Sequence, residues 1–416
     1  MEPKVTELFA SCGGMSKGFE MAGFDIKIAN EIWEPAARTY RKNHPKTNLI
    51  LGDITDQEIK KEVVELSKEN EIEVIIGGPP CQAYSVAGLR NPDDPRGKLF
   101  EDYFEVVEKV KPKIFVMENV RGLLSIMTER ENLTDEEMEE IKKLNDLKEK
   151  KIQLILKRRK SRTSLTIKFT KKDEKELEKI TEEVKLQQKK VLPFQEKLID
   201  KIKRRFQEKG YKVEHKVLNA AYYGVPQLRE RVIIIGTRYD IPIEFPKETH
   251  NENNWVTVKE AIDDLKNLKQ DENINHIIMN HSKEFLQKIK ATKHGKSIFG
   301  VYNHAFNKPR PNRPSNTVKE NHGSVFLHYQ KNRAMTPREL ARLQSFPDEF
   351  IFEGAKNQIL TQIGNAVPPL LGRAIGKSVK NMLKSIKEVE FQKSENRGKI
   401  YISNIPKSNI IKMRAR

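Results

Sequence analysis

The sequence predicts an α/β protein built on a doubly wound, mostly parallel β-sheet. The aliphatic runs VIIGGPP, KIFVMENV and RVIIIGT are apolar nearly throughout, as is typical of strands that are covered on both faces. Segments with helical spacing alternate with strand candidates over the first ~125 residues, which favours a parallel sheet with right-handed crossovers. In such a sheet, ligands bind at the carboxyl ends of the strands.

The individual elements follow in chain order. Strands are predicted at Val5–Phe9, Ile26–Ala29, Val74–Ile76 and Ile114–Met117, with a further one in NLILGD, and helices at Ser16–Met21, Pro35–Asn43, Asp56–Glu69 and Leu99–Val110. Later in the chain we expect a helix from Leu198 into Gly210 and strands near Val213–Val217 and Val232–Ile235. In TPRELARLQSFPDEF, Thr336 can cap a helix and Pro337 suits its first turn.

A charged segment, residues 127–195, interrupts this pattern. It contains no glycine, begins acidic, becomes basic at KRRKSR (157–162), and carries Leu and Ile at three- and four-residue spacing. We predict a helical hairpin or short coiled coil with KRRKSR at or near its tip. Its role stays open between a solvated insertion and an arm that binds DNA phosphates or a protein partner.

Composition limits the classes of function. The 416 residues carry a net charge of +18, which favours a polyanionic partner such as nucleic acid, although other Lys-rich proteins share this excess. Two cysteines exclude a disulfide framework, and no Cys/His spacing indicates a metal site. Because no apolar run approaches the ~20 residues of a membrane span and the N-terminus has no secretory h-region, we expect a cytoplasmic protein without a membrane partner.

The first strand leads into Gly13-Gly14 and then a helix, a geometry in which backbone N–H groups can face a ligand. A tight strand–helix turn without ligand is the alternative. Glu31 follows at the end of the next strand, where its carboxylate can accept hydrogen bonds from two ribose hydroxyls. Asp53, after the third strand, can accept from an adenine amine. Together these residues describe an adenosine pocket.

The turn GGPPCQ presents Cys81 at the carboxyl edge of the sheet. A buried structural cysteine is the alternative, but a rigid polar turn suits a thiolate nucleophile better. Glu118 ends the next strand and is well placed to share the site. Arg229 and Arg231 begin another strand in QLRERVIIIG, either as a surface ladder or as part of this cluster.

Six motifs in order resemble the DNA (cytosine-5)-methyltransferases: ELFASCGG, GGPPCQAYS, ENVRGLL, GVPQLRERV, RPSNTV with RELARLQSFPDEF, and GNAVPP. The resemblance implies the fold of class I S-adenosylmethionine-dependent methyltransferases, with a smaller target-recognition domain. It also implies the modification enzyme of a prokaryotic restriction–modification system. Such an enzyme acts on double-stranded DNA near the nucleoid, pairs functionally with a cognate restriction endonuclease, and is expected to be a monomer.

The resemblance assigns the chemistry as follows. The Cys81 thiolate adds to carbon 6 of a flipped-out cytosine, Glu118 holds ring nitrogen 3 and the amine, and Arg231 binds the 2-carbonyl with Arg229 in support. The residues implied for S-adenosylmethionine binding are Phe9, Cys12, Gly14, Glu31, Asp53, Ile54, Pro80, Leu99 and Asn365. Ile32 and Trp33 depart from the family order after the acidic residue, so the side chain that covers the adenine stays open.

DNA contacts are expected in two places. Segment 82–97 resembles the mobile catalytic loop and supplies Ser85 and Arg96, although Arg96 could simply pair with Asp93 or Asp94. Segment Asn273–Pro311 is the candidate for base contacts, and its donors are Lys293, Lys296, Asn303, His304, Lys308 and Arg310.

The resulting division has six parts. They are a cofactor and nucleophile half of the catalytic domain (1–126), the charged insertion (127–195), the continued catalytic domain (196–240), the target-recognition domain (241–350), a closing segment (351–386) and a basic tail (387–416). Three other functions stay open. A transfer-RNA methyltransferase would carry a Cys-Phe-Thr that is absent here, a DNA-binding module would have lost its catalytic residues, and a nicotinamide oxidoreductase would lack GGPPC and ENV.

Overall fold

The computed structural model describes residues 2–80, 99–161, 166–299, 306–319 and 326–403, with side chains up to residue 392. The predicted site residues Cys81, Ser85, Arg96, Asn303 and His304 therefore lie outside the described residues. The predicted tip sequence KRRKSR is described up to Ser161.

The described strands form a seven-stranded sheet of order β3-β2-β1-β4-β5-β9-β8 and a two-stranded ladder. They are β1 Lys4–Leu8, β2 Asp25–Glu31, β3 Asn48–Leu51, β4 Val74–Gly77, β5 Ile114–Val120, β6 Met127–Glu129, β7 Gln195–Lys197, β8 Lys212–Asn219 and β9 Glu230–Thr237. β1 to β5 pair in parallel, whereas β8 runs antiparallel to β9. The predicted doubly wound, mostly parallel sheet is confirmed. The strand order reverses between β1 and β4, which is where such sheets bind ligands.

The described helices are α1 Gly14–Met21, α2 Glu34–Asn43, α3 Gln57–Glu69, α4 Leu99–Val110, α5 Asp135–Lys160, α6 Lys171–Val191, α7 Leu198–Glu208, α8 Val258–Ile262, α9 Lys283–Ala291, α10 Pro337–Leu343, α11 Lys356–Asn365 and α12 Pro369–Ser403. α10 begins as predicted, with Thr336 capping it in a capping box with Glu339 and Pro337 in its first turn. No described helix is long and apolar enough to cross a membrane.

α1 and α12 pack on one face of the sheet, where Phe19, Leu371 and Ile375 meet strand residues such as Val5 and Val116 in one buried cluster. The two helices approach closely at a pair of glycines. An added Cβ at Gly18 would lie 2.5 Å from the Pro369 carbonyl oxygen and 2.6 Å from Gly372 Cα. The long helix α12 is therefore packed on α1, the helix that follows β1.

The chain divides into two compact units. The first comprises Met1–Gly78, Glu105–Glu118 and Gly210–Arg416 and carries the seven-stranded sheet. The second comprises Pro79–Phe104 and Asn119–Lys209 and carries the charged insertion.

Within the second unit, α5 and α6 form the predicted helical hairpin around Ile141, Leu144, Ile180, Val184 and Val191. Each helix begins in a capping box, set by Thr134 with Glu137 and by Thr170 with Asp173. The antiparallel ladder of β6 and β7 closes the root of the hairpin. The sequence did not predict this ladder, because three-residue polar strands leave no periodic signal.

The tip of the hairpin is internally paired. Lys157 Nζ lies 2.6 Å from Asp173 Oδ1, and Arg158 Nη2 lies 3.3 Å from Glu174 Oε1. The Arg158 guanidinium also stands 5.7 Å from the centre of the Phe169 ring. Two cations of the tip thus have partners inside the hairpin, which weighs against the alternative of a phosphate-binding arm.

Candidate active site

The turn after β1 is held in an unusual backbone conformation. Phe9 and Ser11 have φ values of 56° and 51°, a left-handed region that side chains other than glycine seldom adopt. Gly13 continues it with φ 91°, and an added Cβ there would lie 2.3 Å from His44 Nε2. At Gly14 an added Cβ would lie 2.4 Å from the Val367 carbonyl oxygen. The ELFASCGG and GNAVPP motifs therefore touch, and glycine is what allows it.

Glu31 fixes this turn from the end of β2. Its Oε2 accepts from the Ser11 backbone N–H at 2.6 Å, and its Oε1 accepts from the Trp33 N–H at 2.8 Å. The residue is only 8% exposed, and burial raises the pKa of its carboxyl while the backbone donors lower it. Each oxygen keeps a further lone pair, so the buried carboxylate can still accept from a diol.

The other predicted cofactor residues of the first unit differ in their exposure. Asp53 is exposed, and its Oδ1 accepts from the Thr55 N–H at 2.9 Å, whereas Ile54 is buried. Asn365 is exposed at the end of α11. Ile32 is 62% exposed, while Trp33 is half-buried and caps α2. In the second unit, Pro80 and Leu99 are half-buried, and Leu99 begins α4.

Cys12 is fully buried, with its Sγ 3.7 Å from the Gln362 carbonyl oxygen. Burial raises the pKa of its thiol to about 12. Such a thiol stays protonated and inert at neutral pH, so Cys12 can offer a ligand its backbone but no nucleophile.

Glu118, the predicted catalytic glutamate, lies near the carboxyl end of β5, next to the carboxyl end of β4. The register pairs Gly77 with Met117, so Gly78 lies beside Glu118, and an added Cβ at Gly78 would be 3.1 Å from Glu118 Oε2. Arg231 Nε meets Glu118 Oε1 at 2.7 Å, and both side chains are 12% exposed. Burial lowers the pKa of Arg231, while the charge of Glu118 raises it. The structure thus brings together Glu118 and Arg231, which the sequence assigned to one site.

Asn119 holds the turn that leads to Cys81. Its Nδ2 donates to the Pro79 carbonyl oxygen at 2.9 Å, and its Oδ1 accepts from the Val120 N–H at 2.9 Å. This buried amide was part of the ENV motif, but sequence reasoning assigned it no role.

Arg229 is buried and is therefore not part of a surface ladder. It is 2% exposed, and its Nη1 donates to the Val318 carbonyl oxygen at 2.9 Å. Its Nη2 donates to the carbonyl oxygens of Gly364 and Ala366 at 2.9 and 3.0 Å. Burial, and next the charge of Arg231, lower the pKa of Arg229 well below its ordinary value, while Glu118 opposes them. Arg229 thus joins the PQLRER, SNTV and GNAVPP segments through their backbones.

Gln227, two residues before Arg229, also joins separate segments of the chain through hydrogen bonds. The sequence analysis assigned it no role. Its Nε2 donates to the Leu343 carbonyl oxygen at 3.1 Å and to Gln344 Oε1 at 3.0 Å, and its Oε1 accepts from the Val318 N–H at 2.9 Å. A polar side chain that is 0% exposed needs such partners.

A third feature that the sequence analysis missed is a buried polar network beside the β1 turn. Ser16 Oγ donates to Glu7 Oε2 and lies 2.7 Å from the Tyr40 hydroxyl. Glu7 is 2% exposed, and burial raises the pKa of its carboxyl to about 8, with Glu20 and Glu31 adding to the rise and the Ser16 hydrogen bond opposing it. The signal available in the sequence was a carboxyl between Val5 and Leu8 in a strand that a parallel sheet covers on both faces.

The predicted DNA-contacting residues that are described lie on a short ribbon. Gly295 N–H donates to the Lys308 carbonyl oxygen at 2.7 Å, Lys308 N–H donates to the Lys296 carbonyl oxygen at 2.9 Å, and Ser297 bridges Asn307 in antiparallel fashion. Lys293, Lys296 and Arg310 are exposed, and Lys308 is half-buried. A shallow cleft of about 670 Å³ adjoins the ribbon, lined by Thr257, Lys259, Glu260, His294, Arg310, Pro311 and Asn312.

The sequence profile of the C-5 cytosine-specific DNA methylases matches residues 3–144 and 187–381, so the chain belongs to this family. It is 35% identical over 398 residues to the type II methyltransferase M1.HphI of Haemophilus parahaemolyticus, covering 90% of this chain and 86% of that one. It is 30% identical over 410 residues to M.MthTI of Methanothermobacter thermautotrophicus, covering 93% and 99%. The unmatched residues 145–186 lie within the α5–α6 hairpin.

Solved structures agree at the level of the fold. A prophage-encoded protein of Escherichia coli, described as a DNA modification methyltransferase, superposes with a TM-score of 0.64 at 23% identity, covering 92% of this chain and all of that one. Methylation of carbon 5 of cytosine in DNA, in the manner of type II modification methyltransferases, is confirmed as the predicted function. Members of this family use S-adenosylmethionine.

Proposed function

We propose that this chain methylates one cytosine within a specific duplex sequence, with S-adenosylmethionine as donor and Cys81 as covalent nucleophile. The observation that carries the proposal is the buried Glu118–Arg231 pair beside Gly78, three residues before Cys81 in the chain. We further propose that it works as a monomer and as the modification partner of a restriction endonuclease.

The proposed residues divide the chemistry among them. The Cys81 thiolate forms a bond to carbon 6, which makes carbon 5 nucleophilic. Glu118 holds ring nitrogen 3 and the exocyclic amine and favours protonation of that nitrogen as the adduct forms, and Arg231 donates to the 2-carbonyl oxygen and keeps the carboxyl oriented. Loss of the proton on carbon 5 after methylation then expels Cys81 and restores the ring. The cytosine must leave the base stack, since carbon 6 is inaccessible inside a duplex.

The residues at the β1 and β2 ends fit the proposed donor. Bound S-adenosylmethionine supplies an electrophilic methyl group on a sulfonium. Glu31 would accept from both ribose hydroxyls, Asp53 would accept from the adenine amine, and the 62% exposed Ile32 would cover one adenine face. Phe9, Cys12 and Gly14 would offer backbone in the left-handed turn, which the tight Gly14 packing supports. Ile54, Pro80, Leu99 and Asn365 complete the proposed set.

The proposed support for Arg231 is Arg229, acting as a positioning residue. Its three bonds to backbone carbonyls favour this role over contact with the base. For DNA, we propose contacts by Ser85 and Arg96 near the nucleophile. The proposed recognition segment contributes Lys293, Lys296, Asn303, His304, Lys308 and Arg310, within a target-recognition part spanning residues 241–350.

Bisulfite sequencing of DNA from cells that express the chain tests this proposal. We expect fully protected cytosines at one position of one short sequence, and none in cells that express Cys81→Ser. Duplex sequencing of both strands, together with digestion by nucleases of known specificity, would identify the site. Methylated cytosines without a common sequence, or protection that survives in Cys81→Ser, would contradict the proposal.

A further inference from the structure

The described ribbon is a short antiparallel pairing of residues 295–298 with residues 306–308, centred on the bridge between Ser297 and Asn307 and tied by backbone bonds of Gly295 and Lys296 with Lys308. Two-stranded antiparallel ribbons fit into the major groove of B-form DNA. The exposed Lys293, Lys296 and Arg310 supply positive charge of the kind that contacts phosphates and sets register without reading bases.

Phe299 is a different kind of residue on the same ribbon. Its side chain is 50% exposed, although it is a large apolar ring. It belongs to a row of packed aromatic rings. The distance between ring centroids is 6.0 Å from Phe299 to Phe306, 5.0 Å from Phe306 to Phe285, and 5.0 Å from Phe285 to His281. The Phe299 N–H also donates to Ser297 Oγ at 3.1 Å. A supported ring with two side-chain torsions loses little conformational freedom on contact, which suits it to recognition.

We propose that Phe299 is a specificity-determining residue that contacts the 5-methyl group of a thymine in the major groove. The inference rests on the proposed function and adds one apolar base contact to it. Phenylalanine has no hydrogen-bonding group, and the thymine methyl is the apolar feature that the major groove presents. The cations around Phe299 would hold the ribbon in the groove, while the ring would distinguish one base pair from the others.

The test uses the full chain and duplexes that contain the recognition sequence found by bisulfite sequencing. Each thymine of that sequence is replaced in turn by uracil, which removes the methyl and keeps every hydrogen-bonding group. For wild type, one replacement should raise KM by ~4-fold, the value of one buried methyl-sized group. Phe299→Ala should show a raised KM on the thymine duplex and no further change with uracil, because the contact is already lost.

Phe391→Ala is the matched control, since Phe391 is 64% exposed on α12, outside the ribbon. It should keep the wild-type ratio between thymine and uracil. Phe299→Leu, which retains apolar bulk, should give an intermediate ratio and covers the case in which Phe299→Ala fails to fold. A thymine-to-uracil ratio that is equal in wild type and the Phe299 variants, or a recognition sequence without thymine, would overturn the inference. A wild-type chain that methylates no duplex DNA would instead reject the proposed function.

Discussion

At the scale of single residues, the environment of Cys12 decides that this cysteine is unreactive. Cys12 is buried, and burial raises the pKa of its thiol to about 12, so it cannot supply a thiolate at neutral pH. The candidate nucleophile is therefore Cys81 by chemistry as well as by motif. The assignment of Cys81 as the nucleophile can be tested directly.

Duplex DNA with 5-fluorocytosine at the target should trap Cys81. Fluorine cannot leave carbon 5 as a proton does, so the covalent bond to carbon 6 persists after methyl transfer. We expect a complex of wild type with this DNA that survives denaturing electrophoresis, and none with Cys81→Ser, because an alcohol ionises far less readily than a thiol. The same duplex with ordinary cytosine is the control. A trapped complex in Cys81→Ser would show that another residue is the nucleophile.

Glu7 leads to a prediction about pH. Its carboxyl has a pKa of about 8 in the folded chain against an ordinary value of 4.5, so the folded state binds more protons between these values. Its contribution to stability is then full below pH 4.5 and is lost as the pH rises through about 8. Glu7→Gln keeps the shape and the Ser16 hydroxyl partner but cannot ionise.

We therefore expect the free energy of unfolding of wild type to fall relative to Glu7→Gln as the pH rises from 5 to 8.5. The difference should reach a few kcal/mol, at ~1.4 kcal/mol per pKa unit. Urea titrations of both proteins at several pH values provide the measurement, and Glu2→Gln is a control at an exposed carboxyl just before β1. Parallel curves would mean that Glu7 is ionised in the folded chain.

At the scale of elements, the α5–α6 hairpin is self-contained. Its apolar cluster, its capping boxes and the paired cations of its tip all lie inside it, and the β6–β7 ladder closes its root in register from Met127 to Lys197. The family profile also omits residues 145–186. Removal of the helices should therefore leave the rest of the chain able to fold.

A deletion of residues 133–192, joined by a short Gly/Ser linker, should turn β6 and β7 into a simple hairpin. We expect it to methylate the same sequence as wild type. Because Lys157 and Arg158 are paired within the hairpin, the slope of log affinity against log salt should change by less than the ~0.9 of one phosphate contact. A slope change equal to two or more phosphate contacts would show that the hairpin binds DNA phosphates. Methylation of a different sequence would show that the recognition segment was assigned wrongly.

At the scale of the whole molecule, the first unit is held together by contacts between residues that are far apart in the sequence. Gly14 touches Val367, Gly18 touches Pro369 and Gly372, and Arg229 joins residues 318, 364 and 366. The turn after β1 is thus shaped by the end of the chain, so packing between α1 and α12 should affect both stability and cofactor binding.

Gly18→Ala should lower the free energy of unfolding by ~1–3 kcal/mol, the usual cost of overpacking a tight contact. The added Cβ would meet rigid backbone at 2.5 Å, which cannot move aside as a side-chain end can. Gly122→Ala is the matched control, because its Cβ would lie 3.9 Å from Val120 Cγ2. Thermal unfolding without S-adenosylmethionine measures the change in stability, and the shift in melting temperature on adding S-adenosylmethionine measures the change in cofactor binding. Equal melting temperatures for the two variants would mean that α12 shifts freely against α1.

The sequence by itself determined the class of fold, the parallel strands to within a few residues, the helical hairpin and the family. These features depend on local periodicity, turn residues and motif order, all of which are present in short stretches of chain. The family resemblance also assigned Glu118 and Arg231 to one site, whereas their spacing alone left Arg231 open between a surface ladder and this cluster.

Only the tertiary structure decided what the two arginines of QLRERV do. Arg229 and Arg231 are separated by one residue, yet Arg229 binds three backbone carbonyls while Arg231 pairs with Glu118. It likewise revealed the burial of Glu7, the β6–β7 ladder and the glycine contact between α1 and α12. Each of these depends on groups that are distant in sequence and on the exclusion of water around them, and neither is encoded in local pattern.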